Sequence, residues 1–266
     1  MTFYEFSNDY LILQTQKYLP DFSINELEHY RTPHIYSWPP YFAARRGSEQ
    51  KNDIMKMLAF ILQNRFNLPN VINFENNYDV LSAVTNQFDA DIVANFDKDV
   101  LIQELAEEIN FDSSSRSWNN YAQGLIDAAK YLEKIKNFSY DSYLKYAESN
   151  PDTVINELCQ IKGMGPALAR NFLKEIGVTQ FGKPDVHLYA VFESFDSSVV
   201  NETTFDSALT QQASKANVSS FELDRIIWLI CSGNYFKHHI KIGKRTLRDN
   251  FIKELTEAID KGVVTV

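Results

Sequence analysis

The sequence predicts an all-α protein. Apolar residues recur at i, i+3 and i+4 through long stretches, capping residues stand near helix starts, and period-2 alternation is scarce. The periodic stretches are residues 53–65, 119–135, 165–176, 204–216, 220–231 and 245–260. Ser139 opens one further helical run, Asp152 precedes another, and Thr203 is placed to start the helix near Phe205. Residues 1–50 differ. Tyr36, Trp38, Pro39, Pro40, Tyr41 and Phe42 form an irregular aromatic run that either roofs a site or pads a surface. Asn- and Ser-rich loops are expected at 110–117 and 195–203, and no internal repeat is evident.

The chain has 266 residues, enough for one large domain or two small ones with a substantial core. Its 26 Lys+Arg against 35 Asp+Glu give a net charge of −9, which excludes nucleic-acid binding by the average field. Any such contact needs a local basic face. The two cysteines, Cys159 and Cys231, lie in apolar helical stretches and read as buried thiols. No apolar run approaches the roughly 18 residues of a membrane span, and no signal-peptide pattern opens the chain. The expectation is a soluble, cytoplasmic protein without a membrane partner.

The most informative segment is residues 158–187. Ile161-Lys162-Gly163-Met164-Gly165 places two glycines between apolar helical runs, so the backbone can reverse with φ > 0 at little steric cost. The following helix then starts with unpaired N–H groups pointing outward, an arrangement that suits phosphate. Eighteen residues after Ala167 comes Asp185, behind Gly182-Lys183-Pro184.

Leu158, Ile161, Gly163, Gly165 and Ala169 follow the pattern h-x-x-h-x-G-h-G-x-x-x-A, with Met164 plugging the turn. This segment resembles the helix-hairpin-helix DNA glycosylases, the superfamily of endonuclease III, 8-oxoguanine and 3-methyladenine glycosylases. Pro184-Asp185-Val186-His187 looks like that family's aspartate-x-histidine segment. IIWLICSGNY (226–235), LAFILQNRF (58–66) and RSWNNYAQGLIDAA (116–129) are similar to further family stretches, and the likeness spans about residues 53–255. Such hairpins also occur as plain structural turns and in ligases, polymerases and nucleases that only hold DNA.

The resemblance implies a two-lobed fold with an active-site cleft between the lobes. Residues 1–52 would pack with the C-terminal lobe, 53–183 would form a helical barrel ending in the hairpin, and 184–266 the C-terminal lobe. It implies a monomer acting on double-stranded DNA, with Asp185 stabilising an oxocarbenium-like transition state and orienting water. The other role open to Asp185 is an N-cap. Lys162, Gly163, Met164, Gly165, Ala167, His187, Lys244 and Arg245 would contact DNA. Lys237, Lys241 and Arg248 join the last two in a basic patch that can equally be a solvated helix face.

Gln63, Asn64 and Arg65 would supply the wedge that fills the gap left by a flipped base. Trp118, Tyr121 and Trp38 would line the base pocket, although Trp at helical spacing is more often core. Two departures narrow the chemistry. Ala167 stands where strand-cutting relatives carry a nucleophilic lysine, so a monofunctional enzyme is expected. No cysteine follows Tyr235, so no iron–sulfur cluster, cofactor or metal is expected, and adjacent His238 and His239 do not read as a metal pair. The resemblance implies that the base removed would be a bulky modified cytosine such as glucosylated hydroxymethylcytosine of phage DNA, or an alkylated or oxidised base. The rival is a non-catalytic DNA-binding or scaffold protein of the same fold.

Overall fold

The computed structural model describes residues 1–37, 48–64, 68–243 and 246–266. The chain is all-α: fifteen α-helices among the described residues accompany one pair of two-residue strands. It divides into two units, residues 1–33 with 179–266, and residues 34–178. The breaks therefore fall at 33/34 and 178/179, where the sequence suggested 52/53 and 183/184. Residues 34–37 and 48–52 go with the hairpin, and the turn before Asp185 goes with the C-terminal residues.

The chain begins with α1 (Phe3–Tyr18) and α2 (Ile24–Leu27). Both carry capping boxes, Thr2 with Glu5 and Ser23 with Glu26, a signature present in the sequence but not read from it. In the unit 34–178 follow α3 (Ser48–Leu62), α4 (Leu68–Ile72), α5 (Tyr78–Val84), α6 (Ala90–Val93) and α7 (Lys98–Ile109). After them come α8 (Arg116–Glu133), α9 (Tyr140–Ser149), α10 (Pro151–Leu158) and α11 (Pro166–Glu175). Helix α8 is the axis of this unit and packs against α3, α6, α7 and α4. Its buried residues include Leu125, Ile126 and Leu132, interspersed with small Ala122, Gly124, Ala128 and Ala129 that let neighbours approach closely. Each large apolar side chain so buried contributes roughly 1.5–3 kcal/mol relative to exposure.

The other unit continues with α12 (Val186–Glu193), α13 (Glu202–Lys215), α14 (Ser220–Ser232) and α15 (Leu247–Asp260). Helix α14, buried on nearly every face, is surrounded by α1, α12, α13 and α15. It ends at Gly233, whose φ of +61° suits glycine and where a Cβ would stand 2.6 Å from Leu247. Strands β1 (Asn234–Tyr235) and β2 (Ile240–Lys241) then pair antiparallel, Tyr235 opposite Ile240.

Several local expectations are corrected. Asn201, not Thr203, caps α13: its side chain accepts from Thr204 N–H while the Thr204 hydroxyl returns to the Asn201 backbone. Asn150 is the N-cap of α10 and Pro151 its first residue, so Asp152 lies within the first turn, where its charge complements the helix dipole. Ser139 does occupy the N-cap of α9, without a side-chain hydrogen bond. Cys231 is buried but Cys159 only partly so; neither forms a disulfide, and burial pushes the Cys231 pKa up.

Candidate functional site

Two helix starts carry the residues singled out by the sequence. The first is the turn between α10 and α11. Leu158, Ile161, Met164 and Ala169 are buried beneath it. Gly163 has φ +90°, a conformation that a side chain would strain. Gly165 does not: at φ −102° and ψ 174° it is extended, so the reversal with φ > 0 falls on Gly163 of the pair. Nor does packing demand glycine there, since among the described residues nothing lies within 4 Å of the place its Cβ would take. Gly165 is the N-cap of α11, Pro166 follows at the first helical position, and no side chain caps the helix. The N–H groups of Ala167 and Leu168 open the helix beside that place, a suitable site for an anion.

Helix α8 fixes this turn. A Cβ at Gly124 would lie 2.7 Å from the Lys162 carbonyl oxygen, so the turn rests on the bare backbone of α8. One helical turn later, Asp127 Oδ2 accepts from the Lys162 backbone N–H at 3.1 Å, and its Oδ1 accepts from Gln123 Nε2 at 2.9 Å. The Lys162 side chain stays exposed.

The second start is that of α12. Asp185 is its N-cap, with Oδ1 accepting from His187 N–H at 2.9 Å and Leu188 N–H at 3.2 Å. The other carboxylate oxygen has no hydrogen-bond partner among the described residues. Buried Asp224 on α14 accepts from the Lys183 backbone N–H and so anchors the preceding turn. Gly182 is required by packing: a Cβ would sit 2.2 Å from Leu209 and 3.0 Å from Asp224 Oδ2.

Basic groups surround Asp185. His187 is half-buried, and burial pushes its pKa below the ordinary value. The Asp185 charge opposes that shift, while Arg248 and Lys183 add to it. The His187 Nδ1 is buried without a hydrogen-bond partner. Arg248 on α15 makes a long contact of 3.5 Å to the Val186 carbonyl and an ion pair of 3.3 Å with Asp249.

Other expected site residues are placed differently. Gln63 is buried, and its Oε1 accepts from Phe74 N–H at 3.0 Å, so it serves the core instead of a wedge. Asn64 follows the end of α3 and is partly exposed, while Arg65 lies outside the described residues. Trp118 and Tyr121 are core residues, each 2% exposed. The Trp118 ring lies flat on Phe111 at 4.3 Å, and the Tyr121 hydroxyl donates to the Ala59 carbonyl at 3.0 Å. Their ring faces are therefore committed to packing. Trp38, Lys244 and Arg245 lie outside the described residues. Of the basic patch, Lys237 is taken up structurally, its ammonium donating to the His29 and Thr32 carbonyls, whereas Lys241 is exposed. His238 contacts Tyr30 through Nδ1 at 2.9 Å.

Sequence reasoning passed over Gly124, Asp127 and Asp224, and read Gly182 only as part of the turn before Asp185. A glycine inside an otherwise strong helical pattern was the available signal for Gly124. The hold of Asp224 on a turn 41 residues earlier leaves no local trace. Compared with protein-family models, with curated proteins and with solved structures, the chain matches none.

Proposed function

We propose that the protein is a monofunctional DNA glycosylase. The observation that supports this best is the pairing, twenty residues apart in sequence, of an open helix start at Gly165 with a carboxylate fixed at Asp185. The uncapped N-terminus of α11 would take a DNA phosphate on its N–H groups, with no side chain at Gly165 to keep it away. A base acted on by such an enzyme must leave the stack, at a cost of a few kcal/mol, before its N-glycosidic bond can break.

As that bond breaks, positive charge develops on the sugar. Asp185 would stabilise it and orient the attacking water through the oxygen that caps nothing. Its two backbone hydrogen bonds hold the other oxygen, so the carboxylate cannot swing away without uncapping α12. His187, Lys183 and Arg248 would supply hydrogen bonds and positive charge for the adjoining backbone. Ala167 offers no amine, so the abasic site would be left uncut.

The same capping bonds favour one other reading, in which Asp185 only starts a helix and the protein binds DNA without chemistry. Incubating the protein with duplexes carrying alkylated, oxidised, mismatched and glucosylated hydroxymethylated bases, with mass spectrometry of released bases, separates the two. Release from at least one duplex, without borohydride trapping of protein on DNA, is expected. Binding without release from any duplex would favour the non-catalytic reading, and borohydride trapping would overturn the monofunctional assignment.

A further inference from the structure

A groove of about 670 Å³ lies within the unit 34–178, between α8, α9 and α10 and bordered by Ile161 of the hairpin turn. That volume is within the range of about 300–1,000 Å³ typical of small-molecule sites. Its walls are chiefly aromatic and aliphatic, with the rings of Tyr131, Tyr143 and Tyr146 contributed by α8 and α9.

Side chains of both charges line it. Lys130, Lys134 and Lys136 are among them, and no carboxylate partner for any of the three exists among the described residues. Lys130 in the last turn and Lys134 at the C-cap both complement the C-terminal end of the α8 dipole, whereas Lys136 lies beyond it. Asp127 and Glu157 bring carboxylates to the same groove. At 1.5 Å rise per residue, Asp127 and Lys134 are set roughly 10 Å apart along α8.

Between these charges stands an unsatisfied donor. The hydroxyls of Tyr131 and Tyr143 meet at 2.9 Å, and only one of them can donate in that bond. The second O–H proton has no acceptor among the described residues, although both side chains are more than nine-tenths buried, at 8% and 3% exposure. Burial pushes both pKa values up, so both hydroxyls stay protonated donors at neutral pH.

We propose that this groove binds a small aromatic anion with an amino edge, of which a purine nucleoside monophosphate is the type. The ring would pack on Tyr131, Tyr143 and Tyr146, with its amino edge toward Asp127 or Glu157. The free tyrosine hydroxyl would donate to the ligand, and Lys134 and Lys136 would hold the phosphate. The site shares no residue with the Asp185 turn, although Asp127 and Ile161 at its border also support the hairpin turn.

Calorimetric titration of the full chain with adenosine 5′-monophosphate, adenosine and ribose 5-phosphate tests this. The monophosphate is expected to bind about tenfold or more tightly than either fragment, the difference expected of a charge-assisted contact. Lys134→Gln with Lys136→Gln, both exposed and so neutral to folding, should reduce its affinity to that of adenosine. Tyr131→Phe should weaken binding severalfold. No heat from the monophosphate, or binding left unchanged by the double lysine variant, would overturn the proposal.

Discussion

The starts of α11 and α12 differ in what meets their first N–H groups. At α11 the cap is a glycine without side chain, the next residue is proline, and among the described residues nothing lies within 4 Å of the place a Cβ would take there. At α12 a carboxylate of the chain itself occupies that place and accepts from two N–H groups. A buried aspartate, Asp224, anchors the turn before it, whereas the hairpin turn is held from behind by Gly124 and Asp127 of α8. A helix start completed by its own carboxylate needs no external anion. One without a side-chain cap keeps its attraction for one, which is why the two are assigned opposite roles.

The comparison can be broken most strongly at the support of the hairpin. Within a helix Ala ordinarily gains about 1 kcal/mol over Gly. At Gly124 the added methyl would have to displace the Lys162 carbonyl, so Gly124→Ala is expected to lose about 1–3 kcal/mol in chemical denaturation. A stability gain would show that α8 does not buttress the turn.

Giving α11 the cap that α12 possesses should sharpen the contrast. Gly165→Asp introduces no strain at an extended backbone, so stability in chemical denaturation should hold or rise by about a few tenths of a kcal/mol, the difference between Gly and Asp caps. Duplex DNA affinity, measured by fluorescence anisotropy at fixed salt, should fall about tenfold or more as the new carboxylate takes the phosphate position. Unaltered affinity would remove the anion site from the account.

The reverse change at α12 is smaller. Asp185→Ala should cost about 1 kcal/mol of stability through the lost cap, and Asp185→Asn much less, because Asn caps equally well. Equal losses in both would mean that charge, not capping, ties Asp185 to the fold.

The smallest effect concerns His187. Its pKa is depressed in the folded protein by burial, so the unfolded chain takes up that proton first. Stability from neutral His187 is therefore present above the ordinary histidine value of about 6.5 and lost as pH falls below it. Melting temperature should drop from pH 7.5 to 5.5, less steeply in His187→Gln than in the parent chain. Parallel slopes would contradict that burial.

Much of this was legible in sequence because it is local. Helical periodicity placed α8, α11, α14 and α15 within a few residues, and the G-x-G spacing marked the turn. Asp185 at a helix start needed only the residues after it. What stayed hidden depends on partners distant in the chain. Which glycine of the G-x-G pair takes the positive φ is not set by spacing alone, and the structure gives it to Gly163. Trp118 and Tyr121 are pocket candidates by sequence although helical spacing favours core, and Phe111 and the Ala59 carbonyl against them show the core role. Helix α1 escaped because its polar and aromatic residues blur the apolar stripe, even though Thr2 and Glu5 announce its start.

The central claim is that Asp185 does chemistry beyond capping, and Asp185→Asn isolates it, since Asn keeps the cap and removes the charge. Single-turnover base release from the best duplex substrate is the direct measurement. The account predicts a fall of about 100- to 1,000-fold with folding and DNA affinity retained. Base release at the parent rate would contradict it.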